Sequence, residues 1–140
     1  MAAVATHLAD TSCLARWRKI EVARALAPML ESGLVGGCDM TDFEMLWSTQ
    51  SANEFDRLVG WLRQLEHFPI EPVDWQRARE VSRELWHRGQ QRAVGLPDLL
   101  VAAVAERHRV TVLHYDRDYD LIAAVTGQPT TWVVARGSVP

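Results

Sequence analysis

Short apolar runs alternate with amphipathic stretches along the length of this chain, and that alternation limits the fold more than any other feature. Residues 4–9, 34–38, 110–113 and 131–134 are apolar runs of strand length, too short for buried helices. Residues 21–31, 53–67 and 75–87 repeat apolar side chains at helical spacing, and Phe55, Leu58, Val59, Leu62 and Leu65 form the clearest series. Helices are also expected over 11–18, 41–50 and 119–126, the second opened by a Thr41-x-x-Glu44 capping pattern. Residues 68–71, bracketed by Pro69 and Pro72, read as a brief edge strand. Residues 99–106 begin with seven consecutive apolar side chains, LLVAAVA, which predicts the most buried helix. Strands separated by helices must be joined by crossovers. The expected class is α/β: three layers, α/β/α, around a central, mostly parallel sheet.

The 140 residues suit one domain spanning 1–140. No apolar run approaches the ~20 residues needed to cross a bilayer. The start, MAAVATHLAD, lacks the basic region of a secretory leader. The two cysteines, Cys13 and Cys38, are too few for a disulfide framework. A cytoplasmic protein with reduced thiols is expected.

Charge narrows the function. A net charge of −3 excludes nucleic-acid binding by bulk basicity. The basic residues are 14 Arg and the single Lys19, and Arg suits bidentate contact with phosphate. Residues 77–92 carry five Arg and two Glu, while residues 98–120 carry five acids and three Arg. A positive stretch thus adjoins a negative one.

Asp10 ends the first expected strand, Glu44 lies early in the helix after the second, Asp98 opens the buried helix, and Asp116 and Asp118 follow the strand at 110–113. Ligands of open α/β sheets bind beyond the carboxyl ends of the strands. Acids gathered there repel one another unless a cation lies among them, and oxygen-only ligation favours Mg²⁺ or Mn²⁺. Acids at helix starts also act as caps, so spacing alone leaves cap and ligand open. The five histidines show no paired helical spacing for zinc.

The stretches His7-Leu8-Ala9-Asp10-Thr11-Ser12, Phe43-Glu44-Met45-Leu46, Leu96-Pro97-Asp98-Leu99-Leu100-Val101-Ala102-Ala103 and His114-Tyr115-Asp116-Arg117-Asp118-Tyr119, with the tail Trp132-Val133-Val134-Ala135-Arg136-Gly137-Ser138, resemble the ordered motifs of PIN-domain proteins, most closely the VapC-type toxins of bacterial toxin–antitoxin pairs. The resemblance implies a PIN-like fold and a metal-dependent endoribonuclease leaving a 5′-phosphate and a 3′-hydroxyl. It implies Asp10, Glu44, Asp98 and Asp116 as catalytic acids, and Asp10, Asp98, Asp116 and the more variable Asp118 as ligands of Mg²⁺ or Mn²⁺. Thr11 or Ser12 would orient a carboxylate or cap a helix. Tyr119 stands where the motif often has Phe. A VapB-type antitoxin, an RNA substrate and a homodimer are the implied partners. The exposed sides of residues 21–31 and 53–67 are candidates for the antitoxin groove.

Arg83, Arg88 and Arg92, with Gln90 and Gln91, are candidates for gripping RNA phosphates; a solvated helix face and loop is the plainer reading. Trp75 and Trp86 are assigned to the core, with base stacking as the alternative. A PIN fold that binds RNA or a partner without cutting is the competing functional reading. A haloacid-dehalogenase-type phosphatase is disfavoured, because Asp10 is followed by Thr11-Ser12 with no second Asp two residues on.

Overall fold

The computed structural model describes residues 4–140; Met1–Ala3, the start of the stretch read as lacking a leader, lie outside the described residues. The chain forms β1 (His7–Ala9), α1 (Thr11–Leu14), α2 (Ile20–Glu31), β2 (Val35–Gly37), α3 (Asp39–Trp47), α4 (Ala52–Leu62), β3 (Glu66–His67), α5 (Pro72–His87), α6 (Leu96–His108), β4 (Thr111–His114), α7 (Asp118–Thr126) and β5 (Thr130–Trp132). The strand order is β3-β2-β1-β4-β5. Every pairing is parallel, so the sheet is wholly parallel.

This order reverses between β1 and β4. Successive strands run outward to one edge through β2 and β3, then return to the far side of β1 with β4 and β5. The carboxyl ends of β1 and β4 therefore flank a topological switch point, where open α/β sheets hold ligands. In register, His7, Leu8 and Ala9 stand beside Thr111, Val112 and Leu113. The Asp10 N–H continues the ladder to Leu113 O at 2.8 Å. Both chains leave the sheet together.

Apolar side chains pack against the sheet in two clusters. One joins Leu8 and Val112 to Val81 and Leu85 of α5, Val101, Val104 and Ala105 of α6, and Ile122 of α7. The other joins Ala9 and Leu113 to Cys13 and Leu14 of α1, Val22 and Leu26 of α2, and Val133 and Val139 near the carboxyl terminus. Residues 99–105 are all buried in α6, as their uniform apolarity predicts. Among the described residues, no helix is long and apolar enough to cross a membrane.

Several local expectations change. Helix α4 stops at Leu62, and the chain then turns through Arg63, Gln64 and Leu65, whose N–H groups donate to Val59, Trp61 and Leu62 carbonyls. The edge strand accordingly falls at Glu66–His67 instead of 68–71. Phe68 turns inward, 4% exposed, against Gly36. Helix α3 starts at Asp39, earlier than expected. Thr41, buried, accepts from Cys38 N–H at 3.2 Å and donates to Cys38 O at 2.9 Å. Its hydroxyl is consumed within that first turn, which leaves Glu44 out of the expected capping box. Trp75 and Trp86 are 58% and 54% exposed, outside the core. They are eleven residues apart, about three helical turns, and share a stripe of α5 separate from buried Val81 and Leu85.

Candidate metal centre

Asp10 follows β1 and caps α1: its Oδ2 accepts from Ser12 N–H at 3.0 Å. Asp98 sits in the first turn of α6, behind Pro97, a residue pre-shaped for a helix start. Asp116 lies in the turn after β4, and its Oδ1 accepts from Asp118 N–H at 2.9 Å. Asp118 opens α7 and accepts through Oδ2 from Gly95 N–H at 3.0 Å, which ties the approach to α6 onto the start of α7. One carboxylate oxygen from each of Asp98, Asp116 and Asp118 lies within 4.8 Å of the other two.

Asp10 stands behind this trio, 2% exposed. Tyr119, fully buried, links them: its hydroxyl donates to Asp10 Oδ1 at 2.7 Å and lies 3.3 Å from Asp98 Oδ1. Glu44 reaches in from α3, half-buried, with its Oε1 3.4 Å from Thr11 Oγ1. Ser12 Oγ touches none of these carboxylates; it accepts from Tyr115 N–H at 2.9 Å and ties α1 to the turn after β4. Asp10 is thus a cap through one oxygen while its other oxygen faces the acidic group.

Crowding shows in the proton affinities. Burial, with the charges of Asp10, Asp118 and Asp116, pushes the Asp98 carboxyl up to about 9. Burial and neighbouring acids also raise Asp116, and burial with the charge of Asp10 raises Glu44. Among the described residues, no Lys, Arg or His forms an ion pair with Asp10, Glu44, Asp98, Asp116 or Asp118. Converging carboxylates without a protein cation offer an oxygen-only donor set, the kind that hard divalent ions take. The ion would compensate the repulsion that otherwise forces a proton onto Asp98.

His114 does not join that set. Its Nδ1 accepts from Asp116 N–H at 3.2 Å, so its lone pair is engaged and the neutral ring carries its proton on Nε2. Nε2 is buried without a partner, and burial lowers the ring's proton affinity. The ring lies between Tyr119 and Trp132, with centroids 4.9 and 5.0 Å away. A second group, Asp39, Asp42 and His67, has ligand atoms similarly close, but it lies beyond β2 and β3, and Asp39 pairs with His67 at 3.6 Å.

The structure therefore brings Asp98, Asp116 and Asp118 into one cluster, with Asp10 joined through Tyr119. Glu44 is coupled through Thr11 and the charge of Asp10. Of the candidate phosphate contacts, Arg92 lines a cavity of about 390 Å³ with Trp86, Gln90, Gly95 and Leu96, beside the aspartates that flank Gly95. Arg83 is exposed on α5, while Arg88 donates to Ala124 O at 3.3 Å. Two contributors are absent from the sequence-based list. Tyr119 carried a usable signal, because a buried tyrosine needs a partner for its hydroxyl. Gly95 carried none: a Cβ there would lie 3.6 Å from Asp98 Oδ2 and 3.8 Å from Asp118 Oδ2.

The PIN domain family model matches residues 8–125. Ribonuclease VapC51 of Mycobacterium tuberculosis is 41% identical over 133 residues, covering 95% of this chain and 96% of that protein. Among solved structures, VapBC-1 from nontypeable Haemophilus influenzae superposes with a TM-score of 0.74 at 12% identity, covering 91% of this chain and 97% of that one. A toxin–antitoxin complex from Klebsiella pneumoniae superposes with a TM-score of 0.71 at 18% identity, covering 91% and 98%. At such identities the structural likeness speaks for the fold, while the sequence match carries the closer kinship. The chain belongs to the PIN-domain family and, within it, to the VapC ribonucleases.

Proposed function

We propose that this chain is the endoribonuclease toxin of a type II toxin–antitoxin pair, hydrolysing RNA phosphodiester bonds at the acidic centre. The observation that carries the reading is the convergence of Asp98, Asp116 and Asp118 from α6, the β4–α7 turn and α7, with Asp10 behind them. Kinship with ribonuclease VapC51 supports it. Asp98, Asp116 and Asp118 would hold Mg²⁺ or Mn²⁺, with Asp10 as the fourth acid. Such an ion supplies a water of lowered pKa and neutralises charge on the phosphate.

The chain's own groups do the rest. Asp98 gives up its proton when the site is loaded. Glu44 is a half-buried carboxylate with raised proton affinity, suited to holding a proton near the attacking water. Asp118 fixes the α6 approach through Gly95. Arg92, beside the site, and Arg83, exposed on α5, hold RNA phosphates. Arg88, engaged at Ala124, is the weakest of the three candidates. RNA choice follows shape and unpaired bases, since the net charge is negative.

The restraining partner is a VapB-type antitoxin, a reading supported by the likeness to a toxin–antitoxin complex. An apolar cavity of about 220 Å³ lined by Leu14, Trp17, Met45, Leu58 and Trp61 suits an antitoxin helix. Its walls come from α1, the turn after it, α3 and α4. No residue of α2 lines this cavity, and its Val22 and Leu26 face the core. The active form is a homodimer, which sedimentation of the purified chain would test.

The decisive experiment incubates wild type and Asp98→Asn with total RNA in Mg²⁺, in Mn²⁺ and in EDTA, and maps new 5′ ends. The expected outcome is discrete cleavage by wild type that EDTA abolishes and Asp98→Asn lacks. Cleavage by both proteins, or by neither, would count against the assignment.

A further inference from the structure

We propose that Tyr119 is a positioning residue of the metal centre, its hydroxyl donating to Asp10 and fixing that carboxylate beside Asp98 for metal loading. The inference rests on the metal-dependent reading above. The two acids come from distant parts of the chain, one after β1 and one in α6, and once Asp98 loses its proton, as metal loading requires, their like charges push them apart. The Tyr119 hydroxyl stands between them, 2.7 Å from Asp10 Oδ1 and 3.3 Å from Asp98 Oδ1.

The hydroxyl cannot swing aside. Tyr119 is fully buried, packs in the core with Leu8, Val101, Val104 and Ile122, and stacks on His114. A buried aromatic ring in a dense core has one place for its para substituent. Asp10 is pinned from the other side, where Ser12 N–H donates to Oδ2 at 3.0 Å. Each of its oxygens therefore keeps a lone pair while both directions are set. Groups that hold a ligating carboxylate from behind typically govern metal affinity by about 10–100-fold.

The hydroxyl is also needed locally. Without it, Asp10 Oδ1, in a side chain 2% exposed, loses its donor and faces Asp98 with nothing between. A buried acceptor left unpaired relaxes toward another geometry or draws in water.

The test titrates Mn²⁺ into wild type, Tyr119→Phe, Asp10→Asn and the double variant, reading free Mn²⁺ by its electron paramagnetic resonance signal. Near-ultraviolet circular dichroism in EDTA checks that each is folded. Tyr119→Phe should bind Mn²⁺ at least about tenfold more weakly. The double variant should bind no more weakly than Asp10→Asn, because the hydroxyl acts through that carboxylate. Placing 4-aminophenylalanine at position 119, which restores a neutral donor at the same point, should recover most of the lost affinity. A folded Tyr119→Phe that binds within twofold of wild type overturns the inference, as do multiplicative penalties in the double variant or failure of the amine to rescue. If wild type binds no Mn²⁺, the metal-dependent reading falls and this inference with it. If wild type binds and only the Tyr119 outcomes fail, the metal site stands alone.

Discussion

Replacing Asp98 with Asn should make the metal-free protein more stable and remove its stabilisation by metal. The Asp98 carboxyl is pushed up to about 9 by burial and by Asp10, Asp118 and Asp116, whereas an unfolded aspartate titrates at about 3.9. Between those values the native state keeps a proton that the unfolded chain has released. Native stability therefore falls as pH rises, by at most about 1.4 kcal/mol per pH unit from this group. Accumulated to pH 7, the ceiling is about 4 kcal/mol. Asn carries neither the charge nor the proton, so the Asp98→Asn protein escapes that loss. For a chain of this length 1 kcal/mol moves Tm by about 3–5 °C, and a quarter of the ceiling is readily measured. The assay is differential scanning calorimetry in EDTA at pH 5, 6, 7 and 8, at low ionic strength. The variant should melt above wild type, with a gap that widens with pH. With Mn²⁺ added, wild type should rise and the variant should not, narrowing or reversing the order. A variant that melts at or below wild type at pH 8 in EDTA, or a gap indifferent to pH, would refute the assignment of a proton-retaining carboxylate at the centre of the cluster.

Three substitutions probe the scaffold around the site. Ser12→Ala removes the acceptor for Tyr115 N–H at 2.9 Å, and should lower the stability read in a urea titration by about 1–2 kcal/mol. Gly36→Ala would put a Cβ 2.5 Å from Phe68 Cε2 and 2.7 Å from Glu66 O; overpacking of that kind costs about 1–3 kcal/mol, read in the same urea titration. Arg107→Ala strips two of the three donors from Asp74, whose side chain is 1% exposed, and leaves it only the Glu71 N–H at 2.8 Å; it should destabilise by about 1–3 kcal/mol at pH 7. Burial pulls Asp74 upward, but the bonds from Arg107 hold it below the usual carboxylate range. That stabilisation is present above the unfolded aspartate pKa and disappears as pH falls through the lower native value, so wild type and Arg107→Ala should converge in acid urea titrations.

The acids at the strand ends were legible because the local pattern does two things at once: an apolar run followed by Asp or Glu marks both where a strand stops and where a helix dipole begins. That is why Asp10, Asp116 and Asp118 fall where the alternation of elements puts them, while Asp98 is marked by the helix start at Pro97. What the pattern does not encode is which ends adjoin. The neighbourhood of Asp10 and Asp116 follows from β4 pairing with β1 across 104 residues, Leu8 beside Val112, and such pairings are decided by packing on both faces of the sheet. The misassigned residues have the same origin. Trp75 and Trp86 are apolar by composition, yet α5 has only one stripe to bury, and Val81 and Leu85 occupy it. Thr41 fits a helix-start pattern by spacing, yet the helix had already begun at Asp39. Tyr119 is the instructive case: residue type says that a buried phenol must find a partner, and only the fold says that its proton goes to Asp10, with Asp98 Oδ1 3.3 Å away on the other side. The acidic centre combines side chains that cap their own elements with one aromatic that the core fixes in place. Its charge repulsion is tolerated because densely packed elements on both faces of the sheet keep the acids from moving apart.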